Sequence, residues 1–77
     1  MLSALVLTFC TKITCEEYVI DHNLTRSDCI ERLKEERNDR MNETNEQVYK
    51  DAVGAYKAVP MKGKVVSWEL SCVKDSR

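Results

Sequence analysis

Four cysteines in a chain of 77 residues are the feature that most limits how this protein can fold. A chain this short lies near the lower size at which one hydrophobic core stabilises a domain without disulfides, a metal or a partner. An even number of cysteines allows three interpretations, which are disulfides, a metal site and buried thiols. The chain has room for one small domain, spanning residues 1–77. The cysteines are Cys10, Cys15, Cys29 and Cys72.

The spacing of the cysteines separates these interpretations in part. Cys10 and Cys15 flank a connection of four residues, which is short enough for their side chains to meet across a hairpin. Structural zinc sites favour paired CxxC spacing, which this chain lacks, and His22 is not spaced to complete such a site. We therefore expect no metal and no other cofactor. Disulfides and buried thiols both stay open, because free cysteine also behaves as a small core residue.

The N-terminal third has the composition of two β-strands. Residues 2–10 and 13–20 are rich in leucine, β-branched and aromatic side chains, and the polar pair between them predicts a hairpin. Alternation along the first strand places Leu7 on one face and Val6 on the other. A strand that is apolar on both faces is typical of the middle of a sheet. The second strand carries Glu17 and a neighbouring glutamate, which suits a sheet edge.

A helical region is predicted to follow the polar break at residues 21–23. Thr25 and, three residues later, Asp28 resemble a helix N-cap with an acid in the first turn. Residues 34–47 are nearly all charged or amide, which predicts a polar, solvated insert that is either helical or a loop. One long helix projecting beyond the sheet, or two helices broken near residues 42–45, both fit this pattern. Usual helix lengths favour the break.

Residues 65–73 alternate between apolar and polar side chains, which predicts a half-buried third strand. The order ββα(α)β predicts an α+β fold, with a three-stranded, mainly antiparallel sheet and helix packed on one face. If the helical region crosses the sheet once, the third strand runs antiparallel to the first and Cys72 arrives beside Cys29. If the helices form a hairpin, the third strand runs parallel and Cys72 arrives near Cys10 and Cys15. The predicted core consists of Leu5, Leu7, Phe9, Ile30, Leu33, Val53, Tyr56, Val66, Trp68 and Leu70.

Charge and hydropathy exclude several classes of function. Twelve basic and 13 acidic residues create no single-sign field, so we expect no nucleic-acid partner and no attraction to a membrane. The longest apolar run, residues 2–9, is too short to span a bilayer and lacks the basic flank and cleavage site of a secretory signal. His22 has no accompanying acid, oxyanion hole or glycine-rich element. We therefore expect a protein that is not an enzyme.

Surface aromatics and an uncovered sheet face predict association with another protein or with a second copy as a homo-oligomer. Tyr49, Tyr56 and Trp68 are amphipathic side chains of the kind enriched at interfaces, and they form the candidate interface. A small sheet covered on one side leaves several apolar residues in need of a partner. These residues are Ala4, Val6, Val19 and Val65.

Four short segments resemble a known group of proteins. They are a strand of sequence ALVLTFC, a following C-x-x-Y-V-I-D strand, an S-D-C-I helix start and a terminal W-E-L-S-C strand. Together they resemble short cysteine-bearing proteins, mostly uncharacterised, that are encoded by bacteriophages and prophages of enteric bacteria. The resemblance covers roughly residues 2–33 and 64–73, and the insert at residues 34–47 departs from it. It implies a phage accessory protein that binds and modulates a host protein and carries no catalytic residues.

Two hypotheses about function follow from these observations. The first is a non-enzymatic phage accessory protein that inhibits or redirects a host protein in the bacterial cytoplasm, through an aromatic and mixed-charge surface. The alternative is a disulfide-stabilised envelope or secreted module with a structural role, in the periplasm of a bacterial host. They differ in compartment, and therefore in whether the four cysteines are reduced or paired.

Overall fold

The computed structural model describes residues 2–56 and 63–75. These residues form an α+β fold, with one three-stranded sheet in the order β2-β1-β3 and both strand pairings antiparallel. The predicted fold class is confirmed. Along the chain the elements are β1 (Ser3–Cys10), β2 (Cys15–Leu24), α1 (Arg26–Arg40), α2 (Asn45–Tyr56) and β3 (Ser67–Lys74).

The first strand lies in the middle of the sheet, as its apolar pattern predicts. Leu7 pairs with Tyr18 on one side and with Leu70 on the other. β1 therefore has a hydrogen-bonded neighbour on each side, and residues 3–7 are all buried. The glutamate-bearing β2 lies at an edge, also as predicted.

The second strand is longer than its sequence pattern predicts. It runs to Leu24 and includes residues 21–23, so the prediction of a polar break at these residues is wrong. Register shifts in the pairing of β1 and β2 let the strand continue through this polar segment. Asn23 takes a left-handed conformation, with φ of 59°, which asparagine tolerates better than most residues. Its N–H donates to Oδ2 of Asp75 at 2.9 Å, which ties the end of β2 to the end of β3.

Two helices separated by a short turn form the helical region, as usual helix lengths predict. The side chain of Thr25 accepts a hydrogen bond from the N–H of Asp28, which confirms the predicted N-cap of α1. Thr44 accepts in the same way from the N–H of Gln47 at the start of α2. Partly buried ion pairs spaced by four residues run along α1, in which Glu36 contacts both Arg32 and Arg40.

The core lies between the helices and one face of the sheet. Leu5, Leu7 and Phe9 of β1 have no exposed surface, and neither do Cys29 of α1 and Val48 of α2. These side chains form one cluster with Ala52, Val65 and Leu70, and Leu33 and Trp68 pack against it.

Two residues of the predicted core point outward. Ile30 is 39% exposed, because the neighbouring Cys29 faces the sheet and consecutive helical residues are rotated by about 100°. Val66 is 45% exposed, whereas Val65 is buried. The N–H of Val66 donates to the carbonyl of Cys10. Consecutive side chains of an extended chain point in opposite directions, so Val66 faces solvent when Val65 faces the core. The predicted core residue Tyr56 ends α2, and its side chain lies outside the described residues.

The four cysteines form two disulfides, Cys10–Cys15 and Cys29–Cys72. The first closes the β1–β2 hairpin, where the two Cα atoms lie 4.0 Å apart. The second joins the first turn of α1 to β3 across 43 positions of sequence. This is the pairing expected when the helical region crosses the sheet once and the third strand runs antiparallel to the first.

The two disulfides are expected to stabilise the fold unequally. Loop-closure entropy gives about 4 kcal/mol for a loop of the length closed by Cys29–Cys72 and about 2 kcal/mol for the hairpin loop of Cys10–Cys15. We predict that the double variant Cys29→Ala/Cys72→Ala loses about twice as much free energy of unfolding as Cys10→Ala/Cys15→Ala, measured by denaturant titration without reductant. Equal losses, or a larger loss for the hairpin variant, would contradict this assignment of the stabilising bridge.

Candidate functional site

One face of the sheet is not covered by either helix of the described chain. The helices and the core cluster occupy the face that carries Leu5, Leu7 and Phe9. Alternation places the other side chains of β1 on the opposite face, which we call the open face. Strand register adds the residues of β2 and β3 that pair with them. The open face consists of Leu2, Ala4, Val6, Thr8, Cys10, Cys15, Glu17, Val19, Ser67, Glu69, Ser71, Val73 and Asp75.

The open face has an apolar part formed by all three strands. Val6 of β1 pairs with Val19 of β2, and Ala4 of β1 pairs with Val73 of β3. Val19 is 57% exposed, and Val73 and Leu2 are 40% and 42% exposed. Large apolar side chains that are exposed and contiguous are typical of binding surfaces.

Sequence reasoning identified only part of this surface. Ala4, Val6 and Val19 lie on the open face as predicted, with Val19 strongly exposed and the other two buried in the middle of the sheet. The prediction that Val65 belongs to this set is wrong, because Val65 is buried in the core between sheet and helices. Val73 was missed as an open-face residue, since its position opposite Ala4 depends on the register of β3. Register cannot be read from the alternation of one strand alone.

A row of two carboxylates crosses the open face beside its apolar part. Glu17 of β2 and Glu69 of β3 both pair with Thr8 of β1, so the three residues form one row across the sheet. Both glutamates are exposed. In the part of the chain that the structure describes, neither carboxylate makes a hydrogen bond or an ion pair. Glu17 and Glu69 therefore lie towards the hairpin, next to the exposed apolar side chains of the open face.

Two aromatic residues of the candidate interface pack against the core on the helix-covered face. The ring of Tyr49 meets Phe9 edge to face at a centroid distance of 5.1 Å. Trp68 is partly buried against the same cluster. These contacts give both residues a structural role, and their participation in an interface stays a prediction. The side chain of Tyr56 lies outside the described residues.

Tyr18 has an environment that the sequence did not reveal. Its ring lies 5.9 Å from that of Phe9, and its hydroxyl donates to Oε2 of Glu16 at 2.7 Å. Burial, followed by the hydrogen bond to Glu16 and the proximity of this carboxylate, raises the pKa of Tyr18 well above its ordinary value. Such a hydroxyl stays protonated as a hydrogen-bond donor at neutral pH and is not a general base there.

The two cysteines nearest to His22 in the sequence are bound in disulfides. Cys15 is paired with Cys10 and Cys29 with Cys72, so neither sulfur is available as a thiolate beside His22. His22 itself is exposed on the edge strand β2. Within residues 2–56 and 63–75, no three His, Cys, Asp or Glu side chains converge as a metal site would require.

A cavity of about 370 Å³ lies between α2 and residues 63–65. Residues 57–62, which connect these two walls, lie outside the described residues, and we assign the cavity no ligand. Its lining consists of Glu46, Tyr49, Lys50, Val53, Gly63, Lys64 and Val65.

Comparison with known proteins found no matching family model, no similar curated protein and no similar solved structure. The resemblance to phage-encoded proteins therefore stays a prediction. Neither described helix has the length and apolar character needed to cross a bilayer.

The environment of Tyr18 predicts a measurable alkaline titration. At least one of the three tyrosines should stay protonated in the folded protein at pH values where ordinary tyrosine ionises, and Tyr18→Phe should remove this resistant fraction from the tyrosinate absorbance. Because the folded pKa exceeds the unfolded value of 10.0, the stability from Tyr18 is fully present below pH 10 and is lost as pH rises above it.

Denaturant titrations across this pH range provide the stability readout. The difference in free energy of unfolding between wild type and Tyr18→Phe should therefore shrink as pH rises above the unfolded pKa. Unfolded protein, in which all three tyrosines ionise normally, is the control for the absorbance measurement. An ordinary titration of all three tyrosines in the folded protein would contradict the burial of this hydroxyl.

Proposed function

We propose that this chain is a non-enzymatic, disulfide-stabilised binding module that uses its open face to contact another protein in an oxidising compartment. The observation that carries the proposal is the exposed apolar part of a sheet whose opposite face is already occupied by helices. A monomer gains nothing from leaving Leu2, Val19 and Val73 in water, whereas covering them with a partner releases the water that hydrates them.

The two disulfides support the choice of compartment. Disulfides persist in the periplasm, in the endoplasmic reticulum and outside cells, and they are rare where glutathione and thioredoxin keep thiols reduced. Both bridges join elements that the fold places side by side, and Cys29 is fully buried in the core. These features favour an envelope or secreted location over the bacterial cytoplasm.

Binding to a host protein, which the resemblance to phage proteins implies, fits the same surface. Partner binding was part of the hypothesis of a phage accessory protein, and the oxidising compartment was part of the alternative of an envelope or secreted module. A host partner would then be an envelope protein whose binding site faces the periplasm.

The redox state of protein from its native source tests the compartment. Intact mass under non-reducing conditions should be four hydrogens below that of the reduced chain, since two disulfides remove two hydrogens each. Treatment with a thiol-alkylating reagent should add nothing. Four alkylated thiols would place the protein in a reducing compartment and overturn the proposal.

The role of the open face is tested by exchanging its exposed valines. Val19→Ser/Val73→Ser should strongly reduce recovery of a partner in a quantitative pull-down from the native source, while thermal stability changes little because both side chains are already exposed in part and lie outside the core cluster. Val66→Ser is the matched control, since Val66 is 45% exposed and lies outside the open face. If every captured protein is recovered equally by both variants and by wild type, the open face is not the binding surface.

A further inference from the structure

The charge of the open face limits what can cover it. Its charged side chains are Glu17, Glu69 and Asp75, and the carboxylate of Asp75 already accepts a hydrogen bond from the N–H of Asn23. These two glutamates belong to the edge strands on either side of β1, so their Cα atoms lie about 10 Å apart. The paired valines Val6 and Val19 begin about 7 Å further along the strands. A partner therefore meets two carboxylates beside an apolar patch.

Covering this face removes the two carboxylates from water. A carboxylate that is desolvated without a counter-charge is costly, and a positive group placed against it offsets that cost. The described part of the open face supplies no lysine or arginine of its own. A partner therefore has to bring the positive charges, at a position fixed by the row of Glu17, Thr8 and Glu69.

A second copy of this chain does not meet that requirement. Face-to-face pairing of two open faces would bring four glutamates and no cation into one interface, and unpaired like charges oppose association. The area is also small. Three strands spaced by about 4.8 Å and about 25 Å long present roughly 350 Å², whereas stable protein interfaces bury about 800 Å² per partner. A short segment of another protein fits an area of this size better.

Building on the proposed binding function, we propose that the open face binds a cationic amphipathic segment of another protein. The apolar side chains of the segment cover Val19, Val73 and Leu2, and its lysine or arginine side chains reach Glu17 and Glu69. Glu17 and Glu69 set the orientation of the segment on the sheet, because they lie at one end of the apolar patch and the carboxylate at the other end, Asp75, already accepts from the N–H of Asn23. An anionic lipid surface is repelled by the same two carboxylates.

The test uses the full oxidised chain, isotope-labelled for NMR, and two short amphipathic peptides. One consists of leucine and lysine and the other of leucine and glutamate. The lysine peptide should shift the backbone signals of Glu17, Val19, Glu69 and Val73 in a saturable way, and the glutamate peptide should leave them unchanged. Signals that shift on α1 instead, equal effects of both peptides, or preferential binding of anionic phosphatidylglycerol vesicles would overturn the inference.

Charge-reversal variants distinguish a direct contact with Glu17 and Glu69 from a general effect of the protein's net charge. Glu17→Lys/Glu69→Lys should weaken binding of the lysine peptide about tenfold, because two attractive contacts become repulsive. Glu31→Lys/Asp39→Lys makes the same change in net charge on the exposed side of α1 and should weaken it by no more than about threefold, since distant exposed charges are screened by salt. Equal weakening by both variants would overturn the inference.

The outcome also shows which claim has failed. If Val19→Ser/Val73→Ser loses a native partner but the lysine peptide does not bind wild type, the binding function stands and the cationic partner is wrong. If wild type self-associates through the open face at the concentrations used for NMR, the second copy replaces the cationic segment. Four free thiols in native protein would remove the proposed function itself.

Discussion

The disulfide between Cys29 and Cys72 is the constraint on which the arrangement of this protein depends. It fixes the first turn of α1 to β3, and its buried sulfur at Cys29 belongs to the same cluster as Leu5 and Leu7. The chain between the two cysteines contains most of α1 and all of α2, so one end of that segment is held against the helix-covered face. A domain of this size has a small core, and one covalent link of this span is a large part of what opposes unfolding.

The two faces of the sheet differ because this link holds the helices against only one of them. On one face of the sheet, the core cluster that includes residues of both helices contains Leu5, Leu7 and Phe9 of β1, and Tyr18 of β2 packs against it. On the other side, alternation sends small apolar residues to a surface that neither described helix covers. The hairpin disulfide, Cys10–Cys15, stiffens the end of the sheet next to the carboxylate row. The surface is therefore presented by hydrogen-bonded strands whose relative positions are fixed, which limits the entropy lost on binding.

Much of the framework could be predicted from the sequence because the relevant signals are local. A strand with apolar residues on both faces can only be satisfied between two neighbours, which identified β1 as central. Thr25 and Asp28 marked a helix start, and the asparagine-rich segment near residue 42 marked the helix break. The cysteine pairing could not be predicted, because the partner of Cys72 depends on the direction of β3, which contacts distant in sequence determine.

The predictions that were wrong or missing share a physical cause. They depend on the register between strands, which the sequence of one strand does not determine. Irregular pairing with β1 lets β2 pass through residues 21–23, whose composition is typical of a turn. Val65 and Val66 exchanged their expected places because the chain reaches the core before β3 begins. The carboxylate row could not be predicted from the sequence, because Glu17 and Glu69 are far apart along the chain and are aligned only by pairing with the same residue, Thr8.

The pairing of the cysteines is the most direct test of this account. Native protein would be digested without reduction, after free thiols are blocked, and the linked peptides would be identified by mass spectrometry. The expected result is one linked peptide pair that joins Cys29 to Cys72 and a separate link between Cys10 and Cys15. A link from Cys72 to either hairpin cysteine, or unpaired Cys29, would contradict the antiparallel arrangement of β3 and with it the open face.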